Sequence, residues 1–481
     1  MIQCCSVLLS GTLPPAGPRR RKAVPPLPVC FLFLWIFSGP AGLSAQEAGA
    51  ADTAPAAGAV VRMTADQAVE MAIKNNLSLE SARIELDTKR RASALVWNQF
   101  LPDLNAQGGV SRSNDVSVVM GQASPRWYAM GEFSATLALT SALFAGIKTI
   151  RQDYRTGRVT LEKARVQLER DIRKACYNML LLDESIKVQQ DSLAAAERQV
   201  AIAQANYDSG LAPELTLLQA RVNRDNLKPD IDENVNRYKA AMAQFAVNLG
   251  LPYDTQFELV SPGGNISFVD LDLGALVSKS ASGRLDILEL QQRILYLKSA
   301  RTAQALQLWT PNLVFSWNYS RTLANPWEND WGGRDNWQNG GTFSIGLQWK
   351  LNNLFPFTKE GQGLKDTDNG IRAASIGLAQ AIQGTELEVY NTVMGLEKTR
   401  VSIEARNQTV DLARRSYNST EEAYRAGLQD FNSVQNAEEA LRQARLGVVQ
   451  QQYSYLTGLI DLEYAIGVPF GTLSGVQQKG E

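Results

Sequence analysis

The sequence predicts an α+β membrane protein in which one helix–strand–strand–helix–helix unit occurs twice, and three observations predict it. First, the chain of 481 residues repeats itself. Phe100-Leu101-Pro102-Asp103-Leu104 matches Trp309-Thr310-Pro311-Asn312-Leu313, and Phe133-Ser134 matches Phe343-Ser344. Further on, Ala205-Asn206-Tyr207-Asp208-Ser209-Gly210-Leu211 matches Glu422-Ala423-Tyr424-Arg425-Ala426-Gly427-Leu428, and Leu249-Gly250-Leu251-Pro252 matches Ile466-Gly467-Val468-Pro469. Four matches in one order mark a tandem duplication. Second, each unit holds two segments of period two with one apolar and one small polar face. Third, the period then changes to seven, the signature of long coiled-coil helices.

Composition excludes several classes. The chain has no histidine, which removes Ser/His/Asp and Cys/His nucleophilic sites and most zinc sites. With 48 basic against 49 acidic side chains it lacks the basic surplus of a nucleic-acid binder. Scattered carboxylates on amphipathic helices read as solvated faces. No catalytic, cofactor or metal site is therefore expected. The mean hydropathy of −0.20 reads as soluble.

In chain order, Arg19, Arg20, Arg21 and Lys22 precede an apolar run from Val29 to Phe37 and small residues up to Ala45. This is a signal-peptide pattern over residues 1–45, with cleavage near Ala45 and Ala41 or Ala48 as alternatives. The run is too short to span a bilayer as a helix, so an N-terminal anchor is the weaker reading. Its removal leaves 44 basic against 49 acidic side chains and Cys176 as the remaining cysteine. Alone on a helical apolar stripe, Cys176 reads as a buried structural thiol. Residues 46–62 read as a flexible leader.

The first repeat covers 63–255. Its first helix runs from about Thr64 to Phe100 and stops at Pro102, because the residue before proline is pushed out of the helical region. Strands follow at about 101–114 and 131–144, with Leu104, Ala106 and Val110, then Phe133, Ala135, Leu137 and Leu139, on the apolar face. A long helix over 147–207 carries Ile172, Met179, Ile186, Leu193, Val200 and Tyr207 at heptad spacing. The returning helix, 213–249, is expected to kink or restart at Pro229. A linker spans 256–270. The second repeat, 271–470, has strands at about 311–323 and 341–354. Its long helices cover about 370–424, with Ile382, Val389, Leu396 and Ile403 at heptad spacing, and 430–466. Residues 471–481 form a tail.

Six of the nine tryptophans, Trp309, Trp317, Trp327, Trp331, Trp337 and Trp349, surround the second strand pair. Trp127 and Tyr128 flank the first. Such aromatics concentrate at membrane interfaces, so Trp127, Tyr128, Trp309, Trp327 and Trp349 are expected there. The Asn/Gly/Asp-rich segment 325–337 reads as an exposed loop whose tryptophans anchor at the interface or bind a ligand. In lipid every backbone polar group must be paired, and the smallest closed barrels have about eight strands. Four strands cannot close one, so several copies must contribute; three give twelve strands around a polar lumen. The charged helices, each with a narrow apolar seam, continue the barrel as a cylinder into the periplasm.

The order of elements, the Leu-Pro-Asp-Leu and Thr-Pro-Asn-Leu strand entries, the Ala142-Leu143-Phe144-Ala145-Gly146 strand exit and the Tyr-x-x-Gly-Leu helix turns resemble the TolC family of outer-membrane efflux channels over about 64–470. The resemblance implies a homotrimer with a twelve-stranded transmembrane β-barrel continued by a periplasmic coiled-coil barrel. It also implies docking onto a membrane-fusion adaptor and an inner-membrane efflux pump or ABC transporter, in tripartite efflux or type I secretion. Outer-membrane lipid is the surrounding partner.

The turns after the long helices, 209–215 and 426–431, form the periplasmic tip. Glycine suits a helix reversal with positive φ, and Pro213 suits the start of the next helix. A plain helical hairpin accounts for these glycines equally well. By the resemblance Gly210, Leu211, Pro213, Gly427 and Leu428 contact the adaptor. Studied channels of the family close the tip with aspartates shortly after the second turn. Ser433 and Asn436 hold those positions here, with Thr216 at the first turn. Glu214 and Asp430 are the nearby acids, and Tyr424 completes the candidate gate. A less cation-selective constriction is expected. The competing reading is a structural or adhesive outer-membrane protein with a coiled-coil stalk.

Overall fold

The structure is a computed structural model that describes residues 61–473, except 115–117, 120–121, 124–125, 261–266, 352–354 and 356. The expected signal peptide 1–45, the leader up to residue 60 and the tail from 474 lie outside the described residues.

Helix α1 (Ala65–Asn75) opens on a capping box: Gln67 donates its amide to the Thr64 side chain while Thr64 donates its own to Gln67. The single helix expected from Thr64 to Phe100 is divided. The Asn76 side chain accepts from the amides of Ser78 and Leu79, and its backbone is extended, so it ends α1 and caps α2 (Leu77–Ala94). A short 3-10 turn, Val96–Phe100, then leads to Pro102.

Strand β1 (Val61–Met63) lies N-terminal to α1 and is described below with its partner. After Pro102 come β2 (Asp103–Arg112), the short β3 (Val118–Val119) and β4 (Gln122–Ala123), and β5 (Trp127–Leu139). Helix α3 (Ser141–Asp208) starts earlier than the expected Ile147 and takes in Ala142–Gly146, read from sequence as a strand exit. At 68 residues it extends about 100 Å at 1.5 Å per residue. Helix α4 (Glu214–Asn248) runs unbroken through Pro229 and does not restart there.

Strand β6 (Phe257–Leu259) pairs in parallel with β1, matching Val61 to Phe257 and Met63 to Leu259. The end of the expected leader and the start of the expected linker are thus one small sheet. Met63 and Phe257 are buried with Phe245, Ile172 and Met179, which gives this pairing its driving force.

The second repeat holds α5 (Leu273–Gly283), α6 (Leu285–Trp309), β7 (Asn312–Ala324), β8 (Trp337–Gln348), α7 (Lys359–Arg425) and α8 (Phe431–Ile466). The second strand ends at Gln348, short of the expected residue 354, and α7 begins well before residue 370.

Strands β2, β5, β7 and β8 form one antiparallel sheet in that order. The helices alongside keep the same order: α2 packs on α3, α3 on α6, and α6 on α7. Each helix is continuous in sequence with its strand, so the strand order dictates the helix order. Among the described residues the layer has two free edges, α2 with β2 on one side and α7 with β8 on the other. Helices α4 and α8 fold back against α3 and α7.

The heptad seams are largely buried: Ile172, Met179 and Ile186 in α3, and Val389, Leu396 and Ile403 in α7. Tyr207, the last residue of the expected α3 seam, is exposed; nearer the tip burial passes to Ser192, Ala196, Gln199 and Ala203. Cys176 is buried among Met179, Ala72 and Phe245, and burial pushes its thiol up to about 12.

The duplication shows in one further contact. Gly250 (φ +75°) ends α4 against α1, where an added Cβ would sit 2.2 Å from the Asn75 carbonyl oxygen. Gly467 (φ +69°) ends α8 against α5 in the same way, where a Cβ would sit 2.5 Å from the Gly283 carbonyl. These are the glycines of the repeated Leu-Gly-Leu-Pro and Ile-Gly-Val-Pro motifs. By contrast Gly210 and Gly427, also at positive φ, have open space around them. Gly250→Ala and Gly467→Ala should each cost more than about 2 kcal/mol, because backbone must move as well as twist. Gly210→Ala and Gly427→Ala should cost about 1 kcal/mol from φ alone. Unfolding midpoints of the four variants check this order.

Candidate functional site

Two places in the fold combine exposure with organised chemistry: the turns that close the helical hairpins and the four-stranded sheet. At the first turn the Leu211 amide bonds the Asn206 carbonyl at 2.8 Å and the Gly210 amide bonds the Tyr207 carbonyl at 2.9 Å. At the second, Leu428 bonds Ala423 at 2.9 Å and Gly427 bonds Tyr424 at 3.0 Å. Both are Schellman motifs, in which glycine takes the left-handed position. The residue after that glycine ordinarily packs back onto its helix. Here Leu211 and Leu428 are each 79% exposed, so both turns present a bare leucine held on a fixed backbone.

Pro213 and Glu214 are exposed at the start of α4, and Thr216 donates its amide to the Pro213 carbonyl at 3.0 Å. Asp430 caps α8: its carboxylate accepts from the Ser433 hydroxyl at 2.6 Å and the Ser433 amide at 2.9 Å. The Ser433 side chain and amide hold the Asp430 carboxyl below its ordinary range. Asn436 is exposed one turn further.

Tyr424 does not stand free. Its ring meets Phe431 edge-on at 6.0 Å, within a cluster of Val200, Ala203, Leu217, Ala220 and Phe431 contributed by α3, α4, α7 and α8. Phe431, a loop residue by its place in the sequence, is buried at the centre and ties the two hairpins together.

Two turns above Phe431 the Gln199 side-chain amide of α3 donates to Glu438 of α8 at 3.2 Å. Both residues are buried, and each keeps one oxygen without a partner among the described residues. Burial raises the Glu438 carboxyl to about 7, with Gln199, Arg442 and Arg198 pulling the other way and Glu439 adding to it. The clue in the sequence was positional: Glu438 falls in the apolar stripe Phe431, Val434, Leu441, Val448, where an acid is out of place.

The sheet has two chemically distinct faces. Its register aligns Leu139, Leu313 and Leu347; Leu137, Phe315 and Ile345; and Leu104, Ala135, Trp317 and Phe343 across the strands. Between these rows lie Asp103, Thr136, Ser316 and Ser344, then Asn105, Ser134, Asn318 and Thr342. Neighbours in a row share a face, so one side is apolar and the other small and polar. Large apolar side chains on the first face are exposed, Phe343, Ile345 and Leu347 among them.

Tryptophans mark both ends. Trp309 ends α6 and Trp349 follows β8 at the helical end; Trp127 begins β5 and meets Trp327 edge-on at 6.1 Å at the loop end. Tyr128 departs from expectation: opposite Ser111 and Ala324, it belongs to the polar face, because it follows Trp127 by one residue. The 13 residues of β7 reach about 40 Å, or about 30 Å in height at the tilt usual in barrels, which matches a hydrocarbon core. Among the described residues no helix is long and apolar enough to cross a membrane.

Comparison with known proteins agrees with this geometry. A family model described as outer membrane efflux protein matches residues 68–250 and 276–468, one span for each repeat. The chain belongs to the outer membrane efflux protein family. It is accordingly an outer-membrane protein of a channel family. Outer membrane protein TolC of Salmonella enteritidis is 25% identical over 266 residues, 55% of this chain; the match spans half that relative's length. The same fold occurs in CusC, with TM-score 0.69, 17% identity, and coverage of 84% of this chain and 92% of that one. The CmeC outer membrane channel of Campylobacter jejuni gives TM-score 0.68 and 16% identity over 87% of each chain. VceC of Vibrio cholerae gives TM-score 0.68 and 15% identity over 84% of this chain and 96% of that one.

The buried Glu438 makes the tip of this family member sensitive to pH. Its carboxyl is raised in the folded chain from an ordinary value of 4.5 to about 7, so the folded form holds a proton that the unfolded form releases. Local stability is then greatest below about pH 4.5 and falls as pH rises toward 7, where it levels off. Hydrogen exchange of the α3 and α8 amides around Gln199 and Glu438 should follow that slope, and Glu438→Gln should flatten it.

Proposed function

We propose that the chain is the outer-membrane exit channel of a tripartite efflux or type I secretion system. Three copies join edge to edge, each β8 and α7 meeting β2 and α2 of the next, to close a twelve-stranded barrel continued by a periplasmic helical tunnel. The observation that carries this reading is the two-faced sheet with two free edges. A sheet with an exposed apolar face and unpaired edges is costly in either water or lipid, and closure in a bilayer removes both costs at once. The polar face then lines a water-filled lumen. The conduit performs no chemistry; energy comes from its partners.

The exposed Leu211 and Leu428, with Gly210, Pro213 and Gly427 shaping their turns, are the contacts for a periplasmic adaptor, behind which stands an inner-membrane pump or ABC transporter. Small rigid apolar knobs of this kind suit insertion into pockets on a partner's helices. The gate is read at the same level from Glu214, Thr216, Tyr424, Asp430, Ser433 and Asn436. Because Asp430 is occupied as a helix cap and Tyr424 is packed against Phe431, Glu214 is the freest acid there, which supports a weakly cation-selective entrance.

Purified protein in planar bilayers should conduct ions with weak cation preference, and Glu214→Gln should reduce that preference. Leu211→Asp with Leu428→Asp should leave conductance intact while abolishing crosslinks from the turns to the adaptor in cells. A protein that forms no conducting species would instead be a stalk.

A further inference from the structure

Only four charged side chains lie in the four strands of the large sheet, and they are sorted by sign. Asp103 and Glu132 sit in polar rows, with Glu132 accepting from Gln107 at 2.6 Å. Arg112 and Arg321 sit in apolar rows, Arg112 opposite Trp127, and Arg321 beside Gly131 and Asn339. Both arginines lie toward the loop end.

Their surroundings are built rather than incidental. The Arg112 guanidinium lies 5.8 Å from the Trp127 ring centre, and that of Arg321 lies 5.7 Å from Trp337. Trp127 meets Trp327 edge-on, and Trp331 meets Trp337 edge-on at 5.8 Å. The indole N–H of Trp331 is committed to the Pro326 carbonyl at 2.8 Å and that of Trp337 to the Trp331 carbonyl at 3.0 Å. These bonds hold the loop together beside Ala129 and Leu323, which pair with each other across β5 and β7 and are buried. Arg321 spends its Nε on Asn339 at 2.8 Å. Neither arginine forms an ion pair among the described residues, although Glu328, Asp330 and Asp335 lie in the adjoining loop.

A guanidinium at the rim of an apolar face needs an anion or water for its remaining N–H groups. Contact with the indole ring holds the guanidinium in place and leaves its two terminal N–H₂ groups for a partner, a donor pair that suits a phosphate. At the height of an interfacial tryptophan belt, the anion within reach is a lipid headgroup. We infer that Arg112 and Arg321, set in the Trp127/Trp327/Trp331/Trp337 platform, bind phosphorylated lipid headgroups at the loop-side membrane interface. The inference rests on the proposed barrel, whose apolar face meets lipid. Two strands and four residues separate the arginines, about 10 Å across and about 13 Å along the sheet, so they define two phosphate positions.

The test uses the full-length protein in phosphatidylcholine vesicles containing phosphatidic acid, replaced in the control by diacylglycerol, with bound lipid quantified after detergent extraction. The wild type should retain phosphatidic acid at least about tenfold over diacylglycerol, and Arg112→Gln with Arg321→Gln should lose that preference, given that each basic side chain near an anionic surface contributes appreciably. Arg112→Lys with Arg321→Lys, which keeps the charges, should retain part of it and shows that the variants fold. Equal retention of the two lipids, an unchanged Gln variant, or competition by inorganic phosphate at the same strength would overturn the inference. Quenching of tryptophan fluorescence by brominated lipid, measured in parallel, separates the two levels. Quenching without phosphate preference defeats only the headgroup site, whereas no quenching defeats the barrel reading itself.

Discussion

A backbone inside hydrocarbon must pair every amide and carbonyl. A helix meets this within itself, but among the described residues no helix is long and apolar enough to cross a membrane. The sheet must therefore meet it, and four strands leave two edges unpaired. That deficit explains why each free strand edge carries a free helix edge beside it. It also explains why the chain is duplicated: two strand pairs, joined through β5 and β7, widen the layer without a new design.

The faces of the sheet follow from period two alone. Leucine, phenylalanine and tryptophan occupy one set of rows and serine and threonine the other, with glycine in both, so a single register satisfies two solvents at once. A slip of one residue would exchange them. The average hydropathy of −0.20, which reads as soluble, is the mean of these alternating faces and of helices that stay outside the bilayer. Of the four charges in the strands, Asp103 and Glu132 lie in the polar rows and Arg112 and Arg321 in the apolar ones.

Much of this was legible in sequence because it is periodic. Strand alternation from Leu104, Phe133, Leu313 and Phe343, the heptads through Ile172 and Val389, and the glycine turns at Gly210 and Gly427 are all local patterns, and the family resemblance was carried by their repeated order. What escaped was either an exception within a period or a contact between distant segments. Asn76 divides a helix because its side chain outcompetes the backbone for two amides. The pairing of Val61–Met63 with Phe257–Leu259 joins segments that look like linkers until their shared core is seen. At the tip, Phe431 and Glu438 owe their roles to packing among several helices. The Glu438 anomaly was visible as an acid in an apolar stripe, whereas nothing local distinguished Phe431.

Closure of the barrel requires that the free edges of one chain pair with those of the next. Single cysteines along β2, from Leu104 to Val110, combined with one at Ser344 on β8, place one thiol on each edge; Cys176 is buried and does not compete. Oxidation in membranes should give crosslinked species that stop at three chains, at β2 positions on one face only. Crosslinking within single chains, or a ladder extending past three, would contradict closure by edge-to-edge pairing.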